Sequence, residues 1–334
     1  MELETNDTEL STASFERELS LVVAITLLFI SLGSIVANAM LLSAIYNDHY
    51  KCFRSPPIYF IANLAFADLL TGIFVDSLYA VYDLGFYLDK EYLIILTVGD
   101  YASYITVNNA VCTIIFLSID RSIAIKKPFF YRRNITAKTV AVIIAVSWMY
   151  SVFFSTFRLM GMADLPYIML DTYLHDIFAF LTLSCLFAFI YHNLKQEKRT
   201  NLKTFDATVS VESTAEQRLR EIKSDKRLLV TIFLILFVFF LCFAPYAVFV
   251  HLHFFCEPCK SSKVYYFLSK ASEPIIYLNS VLNPFIYAWR HKNFRKALLW
   301  IVRCRNRRSK HQTRGGQTTS SKGNTNSVEV DVQA

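Results

Sequence analysis

The run from Leu93 to Lys127 closes on Ser118-Ile119-Asp120-Arg121-Ser122-Ile123-Ala124-Ile125, and the reading of that stretch decides the fold. A helix needs about 20 consecutive apolar residues to cross a hydrocarbon core. This run is longer, so it reads as a membrane span with helix to spare at both ends. Its inner end carries an adjacent acid and base, Asp120 and Arg121. Charges in or near a membrane are expensive, which favours a functional or paired reading. The competing reading is an arginine that only snorkels to the interface.

The chain has 334 residues, 54% hydrophobic and 18% charged, with 8 Gly and 8 Pro, which is too apolar for one soluble domain. Several spans joined by short polar loops fit that composition. The net charge of +7 would suggest nucleic acid in a soluble protein, but topology places the basic residues elsewhere and no nucleic-acid partner is expected.

Apolar runs fall at about Leu19 to Tyr46, Pro57 to Asp83, Leu93 to Ile125, Ala137 to Met160, Pro166 to Leu194, Leu228 to His253 and Val264 to Trp289. Seven spans put the termini on opposite sides. Lys51 and Arg54, then Lys126, Lys127, Arg132, Arg133 and Lys138, then Lys195, Lys198, Arg199 and the run Arg218 to Arg227 mark the cytoplasmic loops. The intervening loops are read as carrying Asp83, Asp89, Glu91, Asp164 and Asp171. The expected fold class is therefore an all-α membrane protein: a seven-transmembrane helix bundle with a short amphipathic surface helix after the seventh span. Residues 1–18 form an N-terminal tail outside, 19–289 the bundle, 290–303 the basic surface helix and 304–334 a disordered cytoplasmic tail. The N-terminal segment lacks the basic start and small-residue cleavage pattern of a signal peptide. Its Asn6-Asp7-Thr8 is a glycosylation sequon at Asn6.

Polar residues inside the spans need partners. Asn38 should face the bundle. Asp68, mid-span, must be protonated, paired or hydrated, and a buried acid satisfied by neighbouring hydroxyls and amides is the plain alternative. Asn279, Ser280 and Asn283 recur at helical spacing, and such oxygen ligands suit a hard cation such as sodium. Pro245 breaks the sixth span and provides a hinge. Tyr191 ends the fifth span where it reaches either a polar network or only the interface. Asp225 is the nearest partner in sequence terms for Arg121 across the inner face.

These features in order resemble a rhodopsin-family (class A) G-protein-coupled receptor over roughly Ile25 to Cys304. Asn38 matches the first-helix asparagine, Asp68 the LAxAD aspartate and Asp120-Arg121-Ser122 the DRY motif with serine for tyrosine. Trp148 matches the fourth-helix tryptophan, and Cys242-Phe243-Ala244-Pro245 resembles CWxP with phenylalanine at the toggle. Asn283-Pro284-Phe285-Ile286-Tyr287 is an intact NPxxY. The resemblance implies an extracellular ligand and an outward swing of the sixth helix. A heterotrimeric G protein would then meet Arg121, Tyr191 and Tyr287, with Asp225 restraining the inactive state and Phe239 and Phe243 relaying packing to the hinge at Pro245. It implies no required cofactor and an allosteric sodium at Asp68, Asn279, Ser280 and Asn283, although Ala110 stands where the third helix often supplies a hydroxyl.

Most of the family ties the third helix to the second outer loop by a disulfide, and no cysteine lies near Leu96 or in the short loop around Gly161 to Pro166. Cys256 and Cys259 are expected outside, as a local disulfide. Cys304 follows the surface helix as a palmitoylation candidate. These departures resemble the branch of melanocortin, lysophospholipid, cannabinoid and adenosine receptors, although Val250 and Tyr277 stand where adenosine receptors hold the nucleoside. Asp100 lies 21 residues before Arg121, roughly 31 Å along a helix. Asp76 and Glu273 also lie outward, so these acids, with Asp176, Ser103 and Tyr277, either converge on a cationic peptide or small molecule or are simply solvated at the rim. Within the receptor class a lipid or nucleoside ligand is the alternative.

Serines and threonines of the tail, Ser309 to Ser327, offer phosphorylation by a receptor kinase and reading by an arrestin. The basic surface helix offers a contact with membrane lipid. The expected localisation is the plasma membrane, multi-pass, N-terminus outside. The rival class is an ion-coupled transporter, which would need repeats or broken helices, and the sequence has no internal repeat. No enzyme and no transition-metal site are expected, because His175 and Asp176 alone do not make one.

Overall fold

A computed structural model describes residues 2–47, 55–90, 92–205, 212–260, 262–290, 294–297 and 299, and the side chains of 2–12, 194, 197–229 and 232 fall outside that description. The side chains of Asn6 and Asp225, and all of Cys304, therefore lie outside the described residues, as do the tail from 301 and most of the surface helix. Every extended element among the described residues is helical.

Seven long helices follow one another. The first is Glu2–Asn47. The second, Pro56–Tyr87, is interrupted by a π-helical turn at Thr71–Asp76. The third is Leu93–Lys126 and the fourth Ala137–Leu159. The fifth comprises Asp164–Asp171, a second π segment Thr172–Ile177 and Phe178–Phe205. The sixth is Glu212–Phe255 and the seventh Lys263–Arg290. Short helices at Pro128–Asn134 and Glu257–Lys260 occupy connections. The first helix thus runs back to Glu2 through the stretch read as a tail.

Six of the seven are apolar enough along a window of 18 residues to cross a membrane. The seventh is not, since it carries Lys270 and Glu273 and turns a polar face of Asn279, Ser280 and Asn283 into the bundle. At about 1.5 Å per residue its length still exceeds the hydrocarbon thickness.

Local chemistry sets the helix ends. Pro56 and Pro57 open the second helix, where a missing N–H costs nothing. Thr136 caps the fourth by accepting the Thr139 N–H at 3.3 Å. Gly161 takes φ +88°, a left-handed value that lets the chain reverse between the fourth and fifth helices within a few residues.

Two apolar clusters hold the bundle. The first gathers Leu41, Phe60, Leu64, Ile114, Leu117, Leu183, Ile235 and Tyr287. The second gathers Leu27, Val75, Val111, Phe239, Phe243 and Ile276. Gly72 marks a close approach of the first two helices: a Cβ there would lie 3.1 Å from that of Ser34 and 3.2 Å from the Ser31 carbonyl. The π turn frees the Gly72 carbonyl from regular pairing, and it accepts Ser31 Oγ at 2.8 Å and Ser77 Oγ at 3.0 Å instead. Trp148 donates its indole N–H to Asn63 Oδ1 at 2.9 Å, while Asn63 Nδ2 donates to Thr113 at 2.7 Å. One amide thereby pins the second, third and fourth helices. The stretch after the seventh helix joins the core as well: 294–297 are helical, and the buried Phe294 ring lies 6.0 Å from that of Tyr287.

Three acids depart from their expected places. Asp83, Asp164 and Asp171, read as loop residues, lie within the second and fifth helices, and Asp83 is 1% exposed. Asp164 pairs with Arg158 of the fourth helix, and the partners of Asp83 and Asp171 are described below.

Candidate functional site

At the inner end of the third helix, Arg121 Nε and Nη2 donate to Asp120 Oδ2 at 2.8 and 2.5 Å. Tyr131, on the short helix Pro128–Asn134, completes a triad: its hydroxyl accepts from Arg121 Nη2 at 2.5 Å and donates to Asp120 Oδ1 at 2.9 Å. Burial pushes the Tyr131 phenol above its ordinary pKa, so it stays a neutral donor. The arginine side chain is 11% exposed, which rules out a guanidinium simply snorkelling into water. The sequence reading missed Tyr131, although an aromatic hydroxyl ten residues after an arginine that lacks the usual neighbouring tyrosine was visible as a compensating donor.

Of the other inner residues, Tyr191 is exposed and stacks on Phe187 at 6.4 Å. In this conformation neither Tyr191 nor Tyr287 hydrogen-bonds Arg121: the fifth helix turns the first phenol outward, and Tyr287 is buried with its hydroxyl unpartnered.

In the middle of the bundle, Asn283 Nδ2 donates to Asp68 Oδ2 at 2.9 Å, and Ser280 lines the same cavity as Asp68. Asn38 Nδ2 donates to Ser34 and to the Ser280 carbonyl at 3.1 Å, while Ser34 Oγ donates to the Asp68 carbonyl at 2.8 Å. The oxygens Asn279 Oδ1 and Asn283 Oδ1 are buried without partners. Beside them lies a cavity of about 10 Å³, lined by Asp68, Thr71, Ala110, Asn279 and Ser280 on its polar side and by Val107, Phe239, Phe243 and Tyr277 among its apolar walls. A carboxylate, two orphaned amide oxygens and room for one small particle fit a hard cation better than a donor. Ala110 leaves the third helix without a ligand there. The Phe239 and Phe243 rings stack at 4.3 Å against this cavity, and Pro245 lies inside the sixth helix two residues after Phe243.

In the outer half, Asp100 accepts the Tyr79 hydroxyl at 2.6 Å. The Tyr79 ring lies 5.7 Å from that of Tyr277, whose hydroxyl shares a hydrogen bond of 3.3 Å with Ser103. Three helices thus present acid and phenol to one space. Glu273 does not stand open as expected, because Lys270 Nζ lies 3.2 Å from it and 3.3 Å from Asp83. Asp76 is not at the rim either. It ends the π turn of the second helix, is 0% exposed, and has both carboxylate oxygens unpartnered.

Across the bundle, Asp171 Oδ1 accepts Asn108 Nδ2 at 2.9 Å and lies 2.8 Å from His175 Nδ1, while His175 Nε2 is 2.8 Å from the Tyr150 hydroxyl. This chain joins the third, fourth and fifth helices. The i, i+4 spacing of Asp171 and His175 was its one signal in the sequence. Asp176 has no part in it. At the outer rim Cys256 and Cys259 form the expected local disulfide, with Cα atoms 5.4 Å apart. No group of three metal-ligating side chains occurs among the described residues.

With this geometry in place, comparison with known proteins is informative. The sequence profile of the 7 transmembrane receptor (rhodopsin family) matches residues 37–287. The chain is 26% identical over 322 residues to 5-hydroxytryptamine receptor 4 of Rattus norvegicus, covering 86% of this chain and 77% of that one. It is 28% identical over 308 residues to cannabinoid receptor type 1B of Takifugu rubripes, covering 83% of this chain and 62% of that one. It is 26% identical over 289 residues to melanocortin receptor 5 of Homo sapiens, covering 83% of each. The three names refer to three ligand classes, so likeness at this level speaks to family and not to ligand.

Proposed function

The chain belongs to the rhodopsin family of seven-transmembrane receptors, and from that premise we propose that its outer half binds an extracellular ligand bearing positive charge. It is a G-protein-coupled receptor and a multi-pass membrane protein, not an enzyme and not an ion-coupled transporter. The ligand class is carried by one observation. The outer parts of the second, third and seventh helices hold Asp76, Asp83, Asp100 and Glu273, and Lys270 is the one described base that pairs with any of them. Acids in excess, Asp76 and Asp83 fully buried among them, favour a cation as the complement and penalise a neutral lipid or nucleoside that would leave them unpaired. Asp100, flanked by Tyr79 and Tyr277, is the central acid, since phenols and aromatic faces both favour a cation beside a carboxylate.

In the mechanism, the ligand biases the packing of Tyr277 and, through the shared cavity, of Phe243 and Phe239. The sixth helix then moves outward about Pro245. Arg121 leaves the Asp120 and Tyr131 triad and meets the heterotrimeric G protein, with Tyr191 and Tyr287 turning inward to join it. Asp225 restrains the resting state by approaching Arg121. A sodium ion held by Asp68, Asn279, Ser280 and Asn283 would supply the positive charge that the orphaned oxygens lack and favour the resting packing. Linkage then makes G protein and ligand tighten each other by one factor. The distribution of Lys and Arg supports a plasma-membrane protein with its N-terminus outside. Glycosylation at Asn6, palmitoylation at Cys304, lipid contact by the surface helix and tail reading by kinase and arrestin complete the reading.

The test is G-protein activation in transfected cells, without ligand and with a panel of cationic peptides, amines, nucleosides and lysolipids. The wild type is compared with Arg121→Ala and Asp100→Asn at matched surface expression. A cationic member activates the wild type, fails on Arg121→Ala and loses at least about tenfold in potency on Asp100→Asn. A neutral member that works equally on Asp100→Asn defeats the ligand class.

A further inference from the structure

Lys270 on the seventh helix places its ammonium 3.3 Å from Oδ1 of Asp83 on the second helix and 3.2 Å from Oε2 of Glu273 one turn along its own. The Asp83 side chain is 2% exposed and that of Lys270 is 19% exposed. This is a cation site with its occupant in view: two carboxylates from two helices converge on one ammonium. The occupant is a part of the receptor.

Both contacts lie at the long end of hydrogen bonding, so charge holds the ammonium more than directional geometry does. Two acids around one base leave negative charge over, and Asp100 adds to the field at Glu273. Lysine is a compact charge on a flexible four-carbon stem that can withdraw toward water while its stem stays packed. The same pair of carboxylates can therefore take another ammonium when Lys270 leaves.

We infer that Asp83 and Glu273 form a primary-ammonium subsite, resident to Lys270, for which the cation of an incoming ligand must compete. This rests on the cationic reading of the outer half given above. A tethered competitor acts at an effective concentration of millimolar or more. Ligand affinity falls in proportion to the fraction of time the site is free. Lys270 thus sets the threshold concentration at which a cationic ligand is sensed, without changing what the inner face does.

Chemical complementation tests the subsite without the natural ligand. Lys270→Ala deletes three carbons and the nitrogen, which together are n-propylammonium. The full-length purified receptor is melted with and without that probe. The expected result is a saturable rise in Tm of Lys270→Ala by n-propylammonium, none by n-propanol, and none in the wild type or in the double variant Asp83→Asn/Lys270→Ala. An equal rise with n-propanol, or in the wild type, overturns the subsite. In the signalling assay, a cation that activates the wild type should gain about tenfold in potency on Lys270→Met, a neutral unbranched variant that nearly keeps the stem volume if the alanine variant fails to fold. Unchanged potency there overturns the competition while leaving the cationic ligand class standing. Cation-independent signalling together with a positive propylammonium result would overturn the ligand class and keep the subsite.

Discussion

The inner and outer ends of the bundle handle buried charge in opposite ways. At the inner end, Asp120, Arg121 and Tyr131 come from two elements joined by one connection and satisfy one another within a few residues of chain. In the outer half, Asp83, Asp100 and Glu273 come from three helices, and 187 residues separate Asp83 from the Lys270 that pairs with it. Asp76, nearby on the second helix, has no partner at all. A local, closed triad behaves as a latch that stores one state. A dispersed, acid-rich set leaves charge to be completed from outside.

That contrast can be broken by experiment. The largest effect is expected from Arg121→Ala, which should reduce ligand-driven nucleotide exchange by about a hundredfold at equal surface expression, the upper range of ordinary coupling energies. Retained signalling would mean the inner triad is structural only. Next comes Asp68→Asn. Sodium saturating at a hundred times its Kd stabilises the fold by about 2.7 kcal/mol. The wild type should therefore melt higher in sodium than in N-methylglucamine salt, and the variant should melt alike in both. Equal behaviour of the two proteins would remove the ion from the middle of the bundle. Tyr131→Phe deletes hydrogen bonds to charged partners worth about 1.5–3 kcal/mol, so basal activation should rise roughly tenfold. A silent variant would show that Asp120 holds Arg121 alone. The smallest effect belongs to Cys256→Ser with Cys259→Ser, whose four-residue loop supports about 2 kcal/mol at most, read as a drop in Tm with ligand potency nearly unchanged.

The sequence made the inner and middle regions readable for the same physical reason that they are compact. Asp120 and Arg121 are adjacent, and Asn279, Ser280 and Asn283 share one helix face, so spacing alone predicts their meeting. The seven helices were equally plain from the length of the apolar runs. The outer half was not. Glu273 was read as open because nothing in spacing tells that Lys270, one turn away, also reaches Asp83 on another helix. Asp171 was read as a loop acid because Asn108, its partner on another helix, becomes visible only once the third and fifth helices are packed, and the i, i+4 spacing to His175 went unused. The π turns at Thr71–Asp76 and Thr172–Ile177 change the angular register of everything outward of them, and no residue in either stretch announces the extra turn. Asp76 moved from the expected rim to full burial across one of these.

The brief reversal at Gly161 between the fourth and fifth helices has a kinetic consequence. A connection of so few residues cannot fold down over the bundle, so this loop imposes no opening step on an arriving ligand. With acids in excess in the outer half, the association rate of a cation should be fast and should fall as ionic strength rises. Residence time then has to come from the grip of the acids themselves, and differences between good and poor ligands should be found in how slowly they leave.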